Sequence, residues 1–123
     1  MPTVSMTVRG SEQLRRNLDR LAGSQRRQAQ RDGLEAGARI VETYAKINAP
    51  VDTGFLRSSI TVDEVTPMQA IIAPHTDYAE HVEFGTSRMA AQPYMRPALD
   101  EHESEIVQAV EATVAAFVES IRA

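Results

Sequence analysis

The sequence predicts an α+β domain in which a small antiparallel β-sheet packs against two long helices, with short additional helices beside them. Two segments alternate apolar and polar side chains as half-buried strands do, one near the start of the chain and one over residues 56–73. Two longer segments repeat apolar residues at helical spacing. A chain of 123 residues can bury a core of its own, so residues 1–123 are expected to form a single domain.

The chain is predicted to begin with a strand and a short helix. Alternation over residues 3–9 indicates a strand whose apolar side carries Val4, Met6 and Val8. Ser11 suits the start of a short helix, and Gly23 lies where a glycine commonly ends one.

A second, longer helix is predicted from Ser24 to about Asn48. Its packed face is expected to comprise Ala29, Gly33, Ala36, Gly37, Ile40, Val41, Tyr44 and Ile47. Because Gly33 and Gly37 lie one turn apart, another element is expected to approach the helix backbone closely at that point, at a cost of about 1 kcal/mol per glycine in helix propensity.

The next segment is predicted to turn and then form a hairpin. Pro50 ends the long helix, and Asp52-Thr53-Gly54 follows it as a sharp turn, since Asp can hydrogen-bond its own downstream backbone and Gly permits positive φ. Residues 56–73 are predicted to form an antiparallel hairpin that turns at Thr66-Pro67.

The last third is predicted to be mainly helical. Asp77 and Glu80 have capping-box spacing for a short helix that ends at Gly85. A loop over residues 86–95 follows, and Pro97 is expected at the first position of a long C-terminal helix. The apolar stripe of that helix is expected to comprise Ile106, Val110, Val114, Phe117 and Ile121.

Charge is distributed unevenly along the chain, whose net charge is −4. Residues 1–46 carry nine basic and five acidic side chains, whereas residues 47–123 carry four basic and twelve acidic ones. This asymmetry suits head-to-tail association of copies, contact of a basic helix with nucleic acid, or simply two solvated helix faces of opposite sign. The arginines expected nearest to DNA are Arg16, Arg20, Arg27 and Arg31.

The polar residues do not predict an enzyme. The absence of Cys excludes disulfides and thiolate metal sites. The densest polar cluster comprises His75, Asp77, Glu80, His81 and Glu83, but its spacing matches no recognised metal site, so no metal or other cofactor is expected. A metal-dependent enzyme that uses His75 and His81 is the catalytic alternative.

Two sequence blocks, in this order and at these separations, resemble a known family. The first block is Ala49-Pro50-Val51-Asp52-Thr53-Gly54-Phe55-Leu56-Arg57-Ser58-Ser59-Ile60. The second is Tyr78-Ala79-Glu80-His81-Val82-Glu83-Phe84-Gly85-Thr86-Ser87, followed by Ala91-Gln92-Pro93-Tyr94-Met95-Arg96-Pro97-Ala98-Leu99. Together they resemble the neck and tail-completion proteins of long-tailed bacteriophages and prophages, the gene-product-ten-like family of lambda-like phages. The resemblance covers about residues 43–100.

The resemblance implies a non-enzymatic structural protein of the virion head–tail junction, assembled in the host cytoplasm and not associated with a membrane. It implies a ring of copies, hexameric, around the DNA channel, between adaptor or head-closure proteins and tail-terminator or tail-tube proteins. DNA would pass through without sequence-specific binding. A head-closure or tail-terminator ring is the nearest alternative, and a small nucleic-acid-binding protein that uses the arginine-rich helices is the alternative of another class.

The resembling motifs supply structural residues and no catalytic ones. The residues expected to fix the backbone are Pro50, Asp52, Thr53, Gly54, Phe84, Gly85, Thr86, Pro93 and Pro97. The residues expected at an interface are Arg88, Tyr94, Met95 and Arg96. Tyr and Arg are favoured at interface hot spots, and the prolines lower the ordering entropy of the loop, so these side chains are expected to be exposed.

Overall fold

A computed structural model describes residues 2–8, 11–50 and 54–122 of the chain. In chain order the elements are β1 (Val4–Met6), α1 (Glu12–Asp19), α2 (Gly23–Asn48), α3 (Phe55–Ser59), β2 (Thr61–Val65), β3 (Ala70–Ala73), α4 (Ala79–Phe84), α5 (Met95–Asp100) and α6 (Glu103–Arg122). A small antiparallel sheet thus packs with two long helices and several short ones, which confirms the predicted α+β class.

The sheet has the strand order β1-β3-β2, and both neighbouring pairs are antiparallel. β2 and β3 form the predicted hairpin. Its turn is held by Thr66, whose hydroxyl oxygen accepts hydrogen bonds from the backbone N–H groups of Met68 at 3.2 Å and Gln69 at 3.1 Å. The predicted turn at Thr66-Pro67 is therefore confirmed. β1 is shorter than the strand predicted over residues 3–9, part of which lies outside the described residues.

Helices α2 and α6 pack closely because two glycines of α2 leave room for α6. A Cβ atom on Gly33 would lie 3.1 Å from a Val110 methyl carbon, and one on Gly37 would lie 3.1 Å from a methyl carbon of Ile106. Gly33 also faces Val114, so the two helices run antiparallel. The predicted close approach at Gly33 and Gly37 is confirmed.

The buried face of α2 differs in part from the prediction. Its buried residues are Ala29, Gly33, Leu34, Gly37, Ala38, Val41 and Ala45. Ile47 is 62% exposed, so its predicted packing is wrong, and Ala36, Ile40 and Tyr44 are only half-buried. The apolar residues of α2 offer two overlapping stripes, and close packing selects the stripe with more glycine and alanine, because small residues admit neighbouring backbones.

The prediction that a strand begins at Leu56 is wrong for residues 56–59. Residues 55–59 form α3 instead, in which the backbone N–H of Ser58 donates to the carbonyl of Gly54 at 3.0 Å. Leu56 and Ile60 are both buried. Residues four apart share one side of a helix and also one side of a strand, so their apolar character fits both structures.

Three helix boundaries also differ from the prediction. α4 begins after Tyr78 without a side-chain cap, so the predicted capping role of Asp77 is wrong, although Gly85 does end this helix. Pro97 is the third residue of α5 rather than the first of a long helix, because a turn at residues 101–102 separates α5 from α6. Gly23 has a φ of +57° and opens α2 rather than directly ending α1.

The C-terminal helix buries most of its predicted stripe. In α6 the buried residues are Ile106, Val110, Val114 and Val118. Phe117 is half-buried and Ile121 is exposed, so the stripe continues through Val118 instead. These four residues are spaced four apart, so their side chains lie along one side of α6, the side that faces Gly33 and Gly37 of α2.

Candidate assembly surface

A buried carboxylate connects α4 to the start of α5. The Glu83 side chain is only 4% exposed, and its Oε1 accepts hydrogen bonds from the backbone N–H groups of Tyr94 and Met95, both at 2.9 Å. Oε2 accepts a third hydrogen bond from the Arg96 N–H at 3.2 Å. The first N–H groups of a helix have no partner within it, and a carboxylate satisfies both their hydrogen bonding and their partial positive charge. Glu83 is therefore a cap for α5.

Tyr94 and Met95 belong to the core, so the prediction that these side chains are exposed is wrong. Tyr94 is 0% exposed, and its hydroxyl donates to the carbonyl of Ala79 at 3.0 Å. Burial, with the nearby Glu83 charge, raises the pKa of Tyr94 well above its ordinary value. The segment before α5 runs back along α4, where the Gln92 N–H donates to the carbonyl of Val82 at 2.8 Å. This path turns Tyr94 inward.

Gly85 begins a tightly folded loop. It has a φ of +78°, and a Cβ atom there would lie 2.8 Å from the backbone nitrogen of Ala91. Thr86 N–H donates to the carbonyl of Met89 at 2.9 Å, and the Thr86 hydroxyl accepts from the N–H of Arg88 at 3.2 Å. The loop over residues 86–92 is therefore held in one shape and presents Arg88 to solvent.

Of the turn motif Asp52-Thr53-Gly54, only Gly54 belongs to the described residues. Gly54 has a φ of +84° and precedes α3, in keeping with the predicted need for positive φ. The roles predicted for Asp52 and Thr53 lie outside the described residues. Pro50 follows the end of α2, as expected.

An apolar groove lies between α3, α4 and the loop over residues 86–92. This α3–α4 groove has a volume of about 510 Å³; its lining is mostly apolar, with Leu56, Val82 and Met89, and also includes the polar side chains of His81, Thr86 and Gln92. Two large apolar side chains are exposed close by in the sequence, Ile47 near the end of α2 and Phe55, which is 67% exposed, beside Leu56. Apolar surface of this kind marks sites where proteins associate.

A second, shallower hollow lies on the opposite side of α4. It is lined by residues that include Phe84, Pro93, Arg96 and Pro97, and Phe84 is largely exposed. The Arg96 guanidinium pairs with Asp100 at 3.3 Å on the surface of α5. Phe84, Pro93 and Pro97, which were predicted to fix the backbone, thus lie on the same surface as Arg96, which was predicted to lie at an interface.

The arginines predicted to lie nearest to DNA are at the other end of the molecule. Arg16 pairs with Glu12 at 3.7 Å. Arg20, Arg27 and Arg31 are exposed, and none of them forms an ion pair with a described residue. Their charges are therefore open to an external anion.

The histidines form no catalytic arrangement with their neighbours. His75 Nε2 lies 2.9 Å from Asp63 Oδ1, so the ring contacts a carboxylate. The nearby Ser59 Oγ accepts a hydrogen bond from the His75 backbone N–H and donates one to the Leu56 carbonyl. Neither contact places a base of the described residues at the Ser59 hydroxyl, as activation of a nucleophile requires. Burial raises the pKa of Asp63, but hydrogen bonds from Thr61 and His75 outweigh this effect and leave the pKa below its ordinary value.

The residues of the metal-dependent alternative are not brought together. The His75 ring contacts Asp63, whereas His81 lines the α3–α4 groove. Within residues 2–8, 11–50 and 54–122, no three His or carboxylate side chains form a group that could hold a metal ion. His102 stacks flat on Tyr44, with 3.4 Å between the ring centroids.

The Glu83 carboxylate and the loop that begins at Gly85 both act on the backbone, where they fix the start of α5 and the path of residues 86–92. A family model described as "Bacteriophage HK97-gp10, putative tail-component" matches residues 12–85, and the chain belongs to this family. It is thus a structural tail or neck protein of a phage, which confirms the resemblance. The matched range ends at Gly85, inside the second sequence block and before its continuation over residues 91–99.

Other comparisons add no relative. No curated protein and no solved structure matches the chain. No helix in the described part of the chain combines the length and the apolar character that a membrane crossing requires.

Proposed function

We propose that the chain is a ring-forming structural subunit of the head–tail junction in a phage or prophage particle. The observation that carries this proposal is the mostly apolar α3–α4 groove, with the exposed Phe55 next to it in the sequence, on a member of a phage tail-component family. A monomer gains nothing from leaving such surface in water, whereas an assembly covers it.

The structural motifs support an assembly role without catalysis. Glu83 and Gly85 fix α5 and the loop over residues 86–92 before any partner binds. A preformed surface loses little conformational entropy on association. Copies that contact each other through two different surfaces form a closed ring when the repeated rotation closes, and six copies are the number that the resemblance implies.

The partners proposed for the ring are those of a particle joint. One rim would contact adaptor or head-closure proteins, and the other would contact tail-terminator or tail-tube proteins. DNA would pass through the channel. Arg20, Arg27 and Arg31, which lack acidic partners among the described residues, would contact its phosphates without reading its bases.

Native mass spectrometry of the purified chain, alone and mixed with connector and tail proteins, tests this proposal. We expect a closed oligomer of six copies that adds neighbouring ring proteins. In parallel, deletion of the gene from the encoding phage should leave heads and tails unjoined. A normal yield of infective particles without the chain would overturn the proposal.

Two measurements separate the alternatives. Cross-linking in finished particles identifies the neighbours, and exclusive contact with the portal-side adaptor or with the first tail-tube ring would favour a head-closure or tail-terminator ring, respectively. Titration of duplex DNA at increasing salt tests the alternative that the chain is a nucleic-acid-binding protein. A steep loss of affinity with one molecule or dimer bound would favour a small nucleic-acid-binding protein.

A further inference from the structure

The sheet has two edges, and the chain protects only one of them from pairing with another strand. At the β2 edge, a bulge between Val62 and Glu64 interrupts the register, and the charged side chains of Asp63 and Glu64 are exposed. Bulges and charges are features by which proteins keep an edge strand from pairing with another chain. At the β1 edge the register against β3 is regular, and residues 2–8 carry no charged side chain. The β1 edge is therefore the one that can accept a further strand.

A groove runs along the free edge of β1. This β1 groove has a volume of about 380 Å³ and is lined by residues 5–8 on one side and by residues of α5 and α6 on the other. Apart from the pairing with β3, no backbone N–H or C=O of residues 4–8 forms a hydrogen bond with a described residue. Backbone groups that are free along a strand edge are well matched by those of another extended chain.

The helical wall of the β1 groove combines apolar and acidic side chains. Its apolar residues are Leu99, Ile106 and Val107, and its charged residues are Asp100 and Glu103. Asp100 pairs with Arg96 at 3.3 Å, whereas Glu103 is exposed and has no ion-pair partner among the described residues. Every second side chain of an added strand would point to the same side of the sheet. The wall thus suits an apolar side chain and, two residues along the same strand, a basic one.

We infer that the β1 groove binds an extended segment of another protein, which adds a fourth strand to the sheet beside β1. The segment carries an apolar side chain and, two residues further on, a lysine or arginine that faces Glu103. The β1 strand of a second copy does not meet this requirement, because its Val4 and Met6 side chains are already buried in their own core. The inference goes beyond the proposed ring and does not depend on it, since one subunit supplies the whole groove.

A synthetic peptide tests the inference, because main-chain pairing tolerates many sequences. The probe is a fluorescein-labelled peptide, Thr-Val-Thr-Lys-Thr-Val-Thr-Lys, in which valine and lysine lie on one side of the strand. We expect saturable binding to the full chain in fluorescence anisotropy, and slower amide hydrogen exchange over residues 4–8 but not over β2.

Two control peptides keep the side chains of the probe and change its backbone. One is N-methylated at every threonine, and the other is N-methylated at every valine and lysine. Because alternate N–H groups of a strand point to opposite edges, one peptide loses the donors that face β1 and the other loses donors that face solvent. We expect the first kind of loss to weaken binding at least about tenfold and the second to change it little. Equal affinities of the two peptides would overturn the inference.

Variants of the chain locate the peptide in the groove. Val107→Phe fills the groove from its half-buried wall and should weaken binding at least about fivefold. Glu103→Gln should weaken it about two- to fivefold through the lost ion pair. Glu64→Gln, which removes an exposed carboxylate from the other edge of the sheet, is the matched control and should leave binding unchanged. Melting curves confirm that each variant folds. Unchanged affinity for Val107→Phe would overturn the inference, and equal affinities for Glu103→Gln and Glu64→Gln would contradict the basic residue assigned to the partner.

Cross-linking distinguishes another protein from a second copy as the occupant. The natural chain contains no Cys, so Thr7→Cys places a single thiol at the β1 groove and Glu64→Cys places one at the β2 edge. We expect a short bis-maleimide to join Thr7→Cys copies no more than Glu64→Cys copies. Preferential joining through Thr7→Cys would show that a second copy covers β1 and would overturn the inference.

The outcomes also separate the inference from the proposed function. A ring in native mass spectrometry with no binding of the probe at about 1 mM overturns the inference alone. A chain that binds the probe as described but forms no ring, alone or with connector and tail proteins, supports the inference and counts against the proposed function alone.

Discussion

Glu83 and Tyr94 are joined by a hydrogen bond of 2.9 Å from the Tyr94 N–H to the Glu83 carboxylate, across the ten residues that separate them in the sequence. The same carboxylate oxygen also accepts from Met95, so one buried charge closes the loop and caps α5. The two ends of the loop are therefore fixed to each other by a contact within the monomer.

Removal of this carboxylate should destabilise the fold. Glu83→Ala leaves three N–H groups at the start of α5 without their partner, two of them buried, and should lower the free energy of unfolding by about 3 kcal/mol. Glu83→Gln, which keeps an acceptor oxygen, should cost less. Urea denaturation measures both, with Glu101→Ala as the exposed control, and equal stability of Glu83→Ala and the control would contradict the capping role.

Substitution of Gly85 should be more damaging than substitution of Gly54. Both residues have positive φ, but only the Cβ of Gly85→Ala would collide with a backbone atom, the nitrogen of Ala91. Gly54→Ala should cost about 1–2 kcal/mol from backbone strain alone, and Gly85→Ala should cost more. Thermal unfolding of the two variants ranks them, and equal melting temperatures would show that the collision is relieved at no cost.

Substitution of Tyr94 should impair folding, whereas substitution of Arg96 should leave folding unchanged. Tyr94→Ala removes a fully buried aromatic ring and should cost about 3–5 kcal/mol of stability, whereas Tyr94→Phe should cost about 1 kcal/mol through the lost hydrogen bond to Ala79. Arg96→Gln lies on the surface and should leave stability within about 0.5 kcal/mol.

The interface prediction for Arg96 is tested by the same variant. Arg96→Gln should reduce the yield of assembled particles while its unfolding curve stays that of the natural chain. Arg88→Gln, in the loop over residues 86–92, is expected to behave in the same way. Normal particle yields from both variants would remove these arginines from the interface.

The Asp63–His75 pair should make stability depend on acid pH. The pKa of Asp63 in the fold lies below its ordinary value, so its ionised form stabilises the fold above the unfolded pKa of about 4. This contribution is lost as the pH falls through the lower, folded pKa. Urea midpoints between pH 6 and pH 3 should therefore decline less for Asp63→Asn than for the natural chain. Parallel declines would contradict the pairing.

The sequence predicts features that depend on local chemistry better than features that depend on distant contacts. The turn at Thr66-Pro67 and the end of α4 at Gly85 follow from residues within a few positions, and both predictions are confirmed. The close approach at Gly33 is confirmed as well, since only glycine leaves room for α6 there.

The missed features lacked such a local signal. Leu56 and Ile60 are four residues apart, a spacing that suits both a strand and a helical turn, so α3 was not predicted. The cap supplied by Glu83 depends on the path of the chain eleven residues later, and the same path buries Tyr94. The only hint in the sequence was an acidic residue on a short helix ahead of a Pro-Tyr-Met-Arg-Pro segment, and that pattern alone does not show which N–H groups it meets.

The glycine-lined seam between α2 and α6 has a mechanical consequence. Side chains of Ile106, Val110 and Val114 sit directly on the α2 backbone at Gly33 and Gly37, so the two helices resist bending as one strut. In the ring proposed above, a subunit with this seam would deform less than one whose long helices are held apart by large side chains.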